Sequence, residues 1–200
     1  MFIFDWDDTI LPSSWIQRQG LRLDAASQLS DWQREQLCEA STYALETLRL
    51  AKQHGVVILV TNAERGWIEL SCQKFVPQLL PIIEGVKVVS ARTTYEGPCC
   101  PTPLEWKIRA FEEEIAHAIG IENVLSPSRR KNILSLGDSL HEREALHRAI
   151  GAMPGAWPKS LKYIERPDVS QICKQHALVT RWFDMIVHHD GDLDLCINCD

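Results

Sequence analysis

Short apolar segments rich in β-branched residues alternate along this chain with longer segments in which apolar residues recur every three or four positions. The short segments are typical of buried strands and the long ones of amphipathic helices, so their alternation predicts a parallel sheet covered by helices on both faces. Five strands are predicted, at Phe2–Asp5, Val56–Thr61, Val86–Ser90, Asn132–Leu136 and Lys162–Glu165. In addition, Asp192–Ile197 is a candidate for a strand at the edge of the sheet.

Capping and helix-breaking residues indicate where the helices begin and end. The longest apolar stripe, Leu37–Ala51, predicts one helix that ends at Gly55. A second helix is predicted from about Glu64 to Phe75. Capping-box patterns and a Pro-Asp pair predict three more helix starts, at Thr102–Glu105, at Ser139–Glu142 and at Pro167-Asp168, the last helix running to His188.

Composition limits the class of protein. With 200 residues, 45% of them hydrophobic and 24% charged, the chain is expected to fold as a single globular domain over residues 1–200. Its formal net charge of −6 argues against a broad electrostatic surface for nucleic acid or an anionic membrane. No apolar run approaches the roughly 18 residues that cross a bilayer, and no signal peptide precedes Asp5, so a cytoplasmic protein is expected.

The cysteines do not form a recognisable framework. There are seven of them, an odd and scattered set that favours reduced thiols over disulfides. Cys196 and Cys199 have the spacing of a redox or zinc motif, but no second such pair is present, and we interpret this one as incidental.

Polar residues follow three of the predicted strands at the point where each strand ends. In α/β sheets, ligands bind at the carboxyl ends of the strands. A lysine is also predicted in the opening turns of the helix that leads to the fourth strand. If the three strands are neighbours, carboxylates, a hydroxyl group and an ammonium group meet at one edge of the sheet. The residues concerned are Asp5, Asp7, Asp8, Thr61, Asn62, Lys107 and Asp138.

Such a cluster has a chemical consequence. Neighbouring carboxylates repel one another, and the repulsion is relieved by raised pKa values or by a bound cation. Oxygen ligands suit Mg²⁺, which commonly binds one or two carboxylates together with substrate phosphate and water. A lysine and the free N–H groups at helix starts suit an anion. The cluster therefore predicts metal-assisted phosphoryl chemistry.

Four of these signals also occur in a familiar order. They are Asp5-x-Asp7-x-Thr9 after a hydrophobic strand, Thr61 at a strand end, Lys107 at a helix start, and Gly137-Asp138 followed by Glu142. In this order they resemble the four motifs of the haloacid dehalogenase-like superfamily of phosphatases. Glu142 departs from the pattern, since many relatives carry Asp as the second acidic residue of the fourth motif. The acidic residue Asp7 makes the first motif resemble that of the phosphatase branch of the superfamily, because the dehalogenase branch lacks an acid at this position.

The resemblance implies a role for each residue. Asp5 would attack the phosphorus and form an aspartyl-phosphate. Asp7 would protonate the leaving oxygen and later take a proton from the attacking water. Thr9 would help to position the loop, and the phosphoryl oxygens would be held by Thr61, the Asn62 N–H and Lys107. The metal ligands implied for Mg²⁺ are Asp5, the Asp7 carbonyl, Asp138 and Glu142.

The resemblance also implies a fold and a substrate class. The expected fold is a Rossmann-like three-layer α/β sandwich with a mainly parallel five-stranded sheet, and neither interval between the first three motifs has room for a substantial cap domain. An open site suits a large substrate such as a phosphoprotein or a phosphorylated polymer end, whereas a small phosphorylated metabolite would need shielding by a partner subunit or by the Leu11–Asp24 loop. A phosphotransferase, or a non-catalytic phosphate-binding scaffold, is the alternative on the same fold. The presence of both Asp5 and Asp7 argues against the scaffold.

Each of these residues also has an explanation that involves no ligand. The Asp5–Asp8 segment is compatible with a turn, and Thr61 with an ordinary strand end. Lys107 is compatible with a solvent-exposed helix face, and Glu142 with the capping box alone. Three tryptophans flank the motifs and are expected to pack in the core: Trp6, Trp67 and Trp106.

Overall fold

A computed structural model describes residues 1–125, 131–151, 153 and 155–198. The strands are β1 (Phe2–Phe4), β2 (Val57–Thr61), β3 (Lys87–Ser90), β4 (Lys131–Gly137), β5 (Ala156–Lys162) and β6 (Leu193–Cys196). The helices are α1 (Ser13–Arg18), α2 (Asp31–His54), α3 (Trp67–Phe75), α4 (Leu80–Ile83), α5 (Ala91–Tyr95), α6 (Pro103–Leu125), α7 (Leu140–Ile150), α8 (Val169–Arg181) and α9 (Phe183–His188). A 3₁₀ turn at Pro77–Leu79 precedes α4.

The described strands form one parallel sheet in the order β3-β2-β1-β4-β5-β6. The predicted α/β class and parallel sheet are confirmed, but the sheet has six strands and not five. The sixth is the candidate edge strand, which pairs with β5 through Lys159 and Leu193. Cys196 lies in β6 with an exposed free thiol, and Cys199 lies outside the described residues.

Both faces of the central strands β1 and β2 are buried. In β1, Phe2 and Phe4 belong to a hydrophobic core shared with α2 and α8, whereas Ile3 belongs to a second core shared with α6 and α7. Every residue of β1 and β2 is buried. This burial explains why these strands are continuous apolar runs, since a strand covered on both faces has no polar side.

The predicted fifth strand, Lys162–Glu165, is wrong. The strand β5 occupies Ala156–Lys162 instead and overlaps the prediction only at Lys162. Its sequence contains a proline and a lysine that do not suggest a buried strand. Pro158 is tolerated because β6 pairs with β5 only from Lys159 onward, and Lys159 is buried because its ammonium group donates to three carbonyl oxygens at the end of α9.

The helix predictions differ in their outcome. Helix α2 ends before Gly55, and the capping boxes that open α6 and α7 are present, as predicted. The helix predicted from about Glu64 to Phe75 corresponds to α3, which begins later than predicted, at Trp67. The last predicted helix is two helices, α8 and α9, because the backbone at Trp182 (φ −103°, ψ 11°) leaves the helical region.

The two intervals between the first three motifs are short in structure as well as in sequence. The interval from Asp5 to Thr61 contains α1, α2 and β2, and that from Thr61 to Lys107 contains α3, the 3₁₀ turn, α4, β3, α5 and the first turn of α6. Neither of these described intervals holds further helices or strands from which a cap domain would be built. Among the residues that the structure describes, no helix is both long and apolar enough to cross a membrane.

Candidate active site

The sheet brings the predicted site residues to one edge. Strand β1 pairs with β2 on one side and with β4 on the other, so the chain leaves all three strands at neighbouring points. A cavity of about 180 Å³ lies at this edge. Thr9 and Thr61 are not among its lining residues, which are Asp5, Asp7, Asp8, Asn62, Lys107, Asp138, Ser139, His141 and Glu142.

Lys107 lies at the base of the cavity and is only 1% exposed, so the interpretation as a solvent-exposed helix lysine is wrong. Its Nζ lies 2.5 Å from Asp5 Oδ1 and 2.7 Å from Glu142 Oε1. It also donates to the carbonyl oxygen of Val60 at 3.1 Å. Helix α6 thus places one buried ammonium group between two buried carboxylates, an arrangement that is costly to break because either partner left alone is an unpaired buried charge.

Both carboxylate oxygens of Glu142 have partners. Oε1 contacts Lys107, and Oε2 accepts from the backbone N–H of Ser139 at 3.1 Å and from its hydroxyl at 2.6 Å. Gly137 is required opposite this side chain, since a Cβ at that position would collide with Glu142. Capping of α7 and the ion pair with Lys107 therefore account for the position of Glu142, and its role as a metal ligand stays a prediction.

Asp7 is held by three side chains on different elements. Its carboxylate accepts from the Ser13 hydroxyl at 2.5 Å, from the Thr61 hydroxyl at 3.2 Å and from the Trp67 indole N–H at 2.9 and 3.2 Å. The sequence does not indicate a role for Ser13, and it predicts only core packing for Trp67. A serine at the start of the next helix only weakly indicates a hydrogen bond to Asp7. A single tryptophan in the sequence does not indicate one at all.

The residues after Asp7 form a turn that leads into α1, and Asp8 still lines the cavity. Asp8 adopts a left-handed backbone (φ 54°), which Asp tolerates better than most residues, and its carboxylate accepts from the backbone and the hydroxyl of Ser14. The carbonyl oxygen of Thr9 accepts from His176 Nε2 at 2.9 Å, and His176 Nδ1 lies 2.9 Å from the Thr47 hydroxyl. Thr9, in the loop between β1 and α1, is fully buried, and its contact with His176 is consistent with a role in positioning this loop.

Asn62 joins the end of β2 to the start of α6. Its side-chain N–H donates to the carbonyl oxygen of Pro103 at 3.2 Å. Its Oδ1 atom is buried and has no hydrogen-bond partner among the described residues. The bond to Pro103 fixes the first turn of the helix that carries Lys107.

The cavity carries an excess of negative charge. Burial, opposed by Lys107 and reinforced by Glu142, Asp7 and Asp138, raises the pKa of Asp5 well above its usual value. Burial, followed by repulsion from Glu142 and Asp8, raises the pKa of Asp138 to about 7. Burial also disfavours the charged form of Glu142, but Lys107 and Ser139 outweigh it and lower the pKa of Glu142. One ammonium group therefore does not balance the carboxylates around it.

The donor set fits Mg²⁺. No group of three or more His, Cys, Asp or Glu side chains in the described part of the chain is arranged to hold a metal ion by itself. Mg²⁺ needs only one or two carboxylates, because waters and substrate phosphate complete its coordination. Asp5 and Asp138 line the same cavity with raised pKa values, and a cation would stabilise the ionised form of both.

Comparisons of the chain with protein-family models, with curated proteins and with solved structures found no match. The interpretation of the site therefore depends on its own residues. Three features carry it: the order of the motifs along the chain, their convergence at the carboxyl edge of β2, β1 and β4, and the buried contacts of Lys107.

Proposed function

We propose that this protein is a Mg²⁺-dependent phosphomonoesterase of the haloacid dehalogenase-like type that acts through an aspartyl-phosphate intermediate. The observation that carries the proposal is the single cavity lined by Asp5, Asp7, Lys107 and Asp138. A turn or a helix cap would explain each residue separately, but neither explains why a lysine from α6 is buried against an aspartate that follows β1.

The proposed first step is an in-line displacement on the phosphorus. A carboxylate oxygen of Asp5 forms a bond to phosphorus while the bond to the leaving oxygen breaks, and the carboxyl group of Asp7 gives its proton to that oxygen. The alcohol departs and the phosphoryl group stays on Asp5. Lys107 orients Asp5 through its contact at 2.5 Å and favours the ionised carboxylate, against the burial that raises the pKa of Asp5.

The proposed second step returns both carboxylates to their starting states. Asp7 accepts a proton from a water molecule, whose oxygen attacks the phosphorus, and the bond between phosphorus and Asp5 breaks to release inorganic phosphate. The three donors to Asp7 hold its carboxylate in one orientation for both proton transfers. Mg²⁺ bound by Asp5, Asp138 and the Asp7 carbonyl would neutralise charge on the phosphoryl oxygens.

The open cavity favours a substrate larger than a metabolite. No cap is built into the two intervals between the first three motifs, so a bulky phosphorylated group, such as a phosphoprotein side chain, meets no lid there. The intact pair of Asp5 and Asp7 supports an enzyme over a phosphate-binding scaffold. A phosphotransferase would use the same first step and differ only in the acceptor of the second.

A phosphatase assay with and without Mg²⁺ tests the proposal. We expect hydrolysis of 4-nitrophenyl phosphate that requires Mg²⁺ and is lost in Asp5→Asn. The matched control is Asp192→Asn, because Asp192 is exposed and precedes β6, at the opposite edge of the parallel sheet. Full activity in Asp5→Asn, or in excess chelator, would contradict the covalent metal-dependent mechanism.

A further inference from the structure

A second cavity has two lining residues, Ser13 and Trp67, that contact the site residue Asp7, and its chemical character differs from that of the site. It has a volume of about 310 Å³ and is formed by α1, by the loop that follows α1 and by α3. Six apolar side chains line it: Leu11, Ile16, Leu21, Leu23, Trp67 and Phe75. Arg22 carries the only formal charge among its lining residues, and no carboxylate contributes to it.

This apolar cavity reaches Asp7 through two shared residues. Ser13 and Trp67 line the cavity, and the same two side chains donate hydrogen bonds to the Asp7 carboxylate at 2.5 and 2.9 Å. Asp7 itself lines the carboxylate-rich cavity. Asp7 therefore connects the two cavities, because it lines the carboxylate-rich one and accepts hydrogen bonds from two residues that line the apolar one.

The position of Asp7 indicates which part of a substrate the apolar cavity would receive. In the proposed reaction, Asp7 protonates the oxygen that leaves phosphorus, so this oxygen must approach Asp7. The group attached to the oxygen then extends past Asp7, away from Asp5. On this side of Asp7 lie Ser13 and Trp67, which contact its carboxylate and also line the apolar cavity.

The size and chemistry of the cavity suit an aromatic ring. An apolar cavity of about 150 Å³ lined by Leu, Ile and Phe is large enough to bind benzene. The cavity here is about 310 Å³ and adds the indole of Trp67 and the ring of Phe75 as aromatic surfaces. A sugar would bury hydroxyl groups against six apolar side chains with few hydrogen-bond partners, which is unfavourable.

We propose that this apolar cavity is the leaving-group subsite of the enzyme and that it selects phosphomonoesters whose alcohol carries an aromatic ring. The inference rests on the proposed function. It assigns to α1 and the loop Leu21–Leu23 the selection of substrate, a task that a cap domain would otherwise perform.

The test compares esters that differ in the ring but not in leaving-group reactivity. 2-Phenylethyl phosphate and ethyl phosphate both release an aliphatic alcohol, so their catalytic efficiencies compare binding of the ring. Since an apolar pocket discriminates a single methylene by about 10–200-fold, we expect at least about a 10-fold preference for 2-phenylethyl phosphate. Phenyl phosphate and a phosphotyrosine peptide then distinguish a free aryl ester from a protein side chain as the source of the ring.

A matched pair of variants connects the preference to the cavity. Leu23→Gln changes a loop residue that lines the cavity and is 37% exposed, and it should lower the ratio of the two efficiencies by several-fold. Leu70→Gln changes an exposed leucine of α3 outside the cavity and should leave the ratio as in the parent. Thermal melting of both variants confirms that each is folded.

The outcomes separate the two proposals. Hydrolysis of both esters with a ratio near one, or an equal ratio in parent and Leu23→Gln, would overturn the leaving-group subsite and leave the phosphatase intact. Hydrolysis of neither ester, with Mg²⁺ present and folded protein, would overturn the proposed function and the subsite with it. A preference for the ring that falls only in Leu23→Gln supports both.

Discussion

The indole N–H of Trp67 lies 2.9 Å from one carboxylate oxygen of Asp7 and 3.2 Å from the other. Trp67 is the first residue of α3, so the helix that packs beside the sheet also orients the proposed acid. An orientation of this kind matters most when a proton must reach a poor leaving group, because a good leaving group departs without protonation.

The first prediction is that Trp67→Phe slows hydrolysis of ethyl phosphate by about 10-fold and that of 4-nitrophenyl phosphate much less. The substitution keeps an aromatic ring in the apolar cavity and removes the indole N–H that donates to Asp7, a loss comparable to one hydrogen bond to a charged group. Steady-state kinetics on both esters measure the effect. Trp182→Phe, at an exposed tryptophan, is the control, and equal losses on both esters would argue against an orienting role.

The second prediction concerns the buried ion pairs of Lys107. Lys107→Met should lower the free energy of unfolding by about 3–5 kcal/mol, because the carboxylates of Asp5 and Glu142 lose the buried ammonium group that both contact. Adding Glu142→Gln to this variant should restore part of the lost free energy of unfolding, because it removes one of the two carboxylates that no longer contact an ammonium group. Urea unfolding measures both changes.

The control for Lys107 is an exposed ion pair. Arg148 contacts Glu144 at 2.6 Å on the surface of α7, with both side chains substantially exposed. Arg148→Met should change the free energy of unfolding by less than about 1 kcal/mol. A similar loss in the Lys107 and Arg148 variants would mean that burial adds little to the Lys107 pairs.

The sequence was most informative where chemistry and topology coincide. Asp5 and Asp138 each follow a strand and Thr61 ends one, which predicts that they lie at one edge, and the parallel pairing of β1 with β2 and β4 brings these strand ends together. Lys107 was predicted from its place in the opening turns of a helix. Local pattern was sufficient here because strand ends and helix starts are fixed by nearby residues.

Contacts between distant elements could not be predicted in the same way. The sequence does not indicate β5 because Lys159 has a polar side chain, and carbonyl groups at the end of α9, distant in sequence, make its burial favourable. Trp67 was assigned to packing because no periodicity shows that an indole N–H meets a carboxylate 60 residues earlier. Both depend on tertiary partners that a local pattern does not encode.

The third prediction is that Mg²⁺ stabilises the protein, and more so at about pH 8 than at about pH 6. An ion that binds only the folded state adds about 2.7 kcal/mol at 100 times its Kd. Binding requires ionised carboxylates, and the pKa of Asp138 is raised to about 7, so protonation competes with Mg²⁺ at the lower pH. Thermal melting with and without Mg²⁺ measures the gain, which should fade in Asp138→Asn.

The same carboxyl group gives a trend of opposite sign without metal. Because the pKa of Asp138 is raised from 3.8 to about 7, the folded state binds the proton more tightly than the unfolded state. Its contribution to stability is therefore present at low pH and lost as pH rises through about 7. With chelator present, the Tm of the parent should therefore fall relative to that of Asp138→Asn as the pH rises from about 4 to about 7. A melting temperature indifferent to Mg²⁺ at either pH would contradict the metal site.

The fourth prediction concerns His176, which is fully buried between the Thr9 carbonyl and the Thr47 hydroxyl. Burial lowers the pKa of His176 from 6.5 to about 4, so between these values the unfolded state binds a proton that the folded state does not. Stability from this group is therefore full above pH 6.5 and falls on acidification towards pH 4, by roughly 3 kcal/mol in all.

His176→Gln keeps a side chain that can donate to Thr9 but does not titrate, so it should flatten the acid limb of the unfolding free energy relative to the parent. The control is His117→Gln, at an exposed position of α6, which should retain the limb of the parent. Urea unfolding across the range from about pH 4 to 7 measures both. Because His176 supports the loop at Thr9, loss of activity on acidification should accompany the loss of stability. An acid limb that is equally steep in His176→Gln and in the parent would show that this buried histidine is not its source.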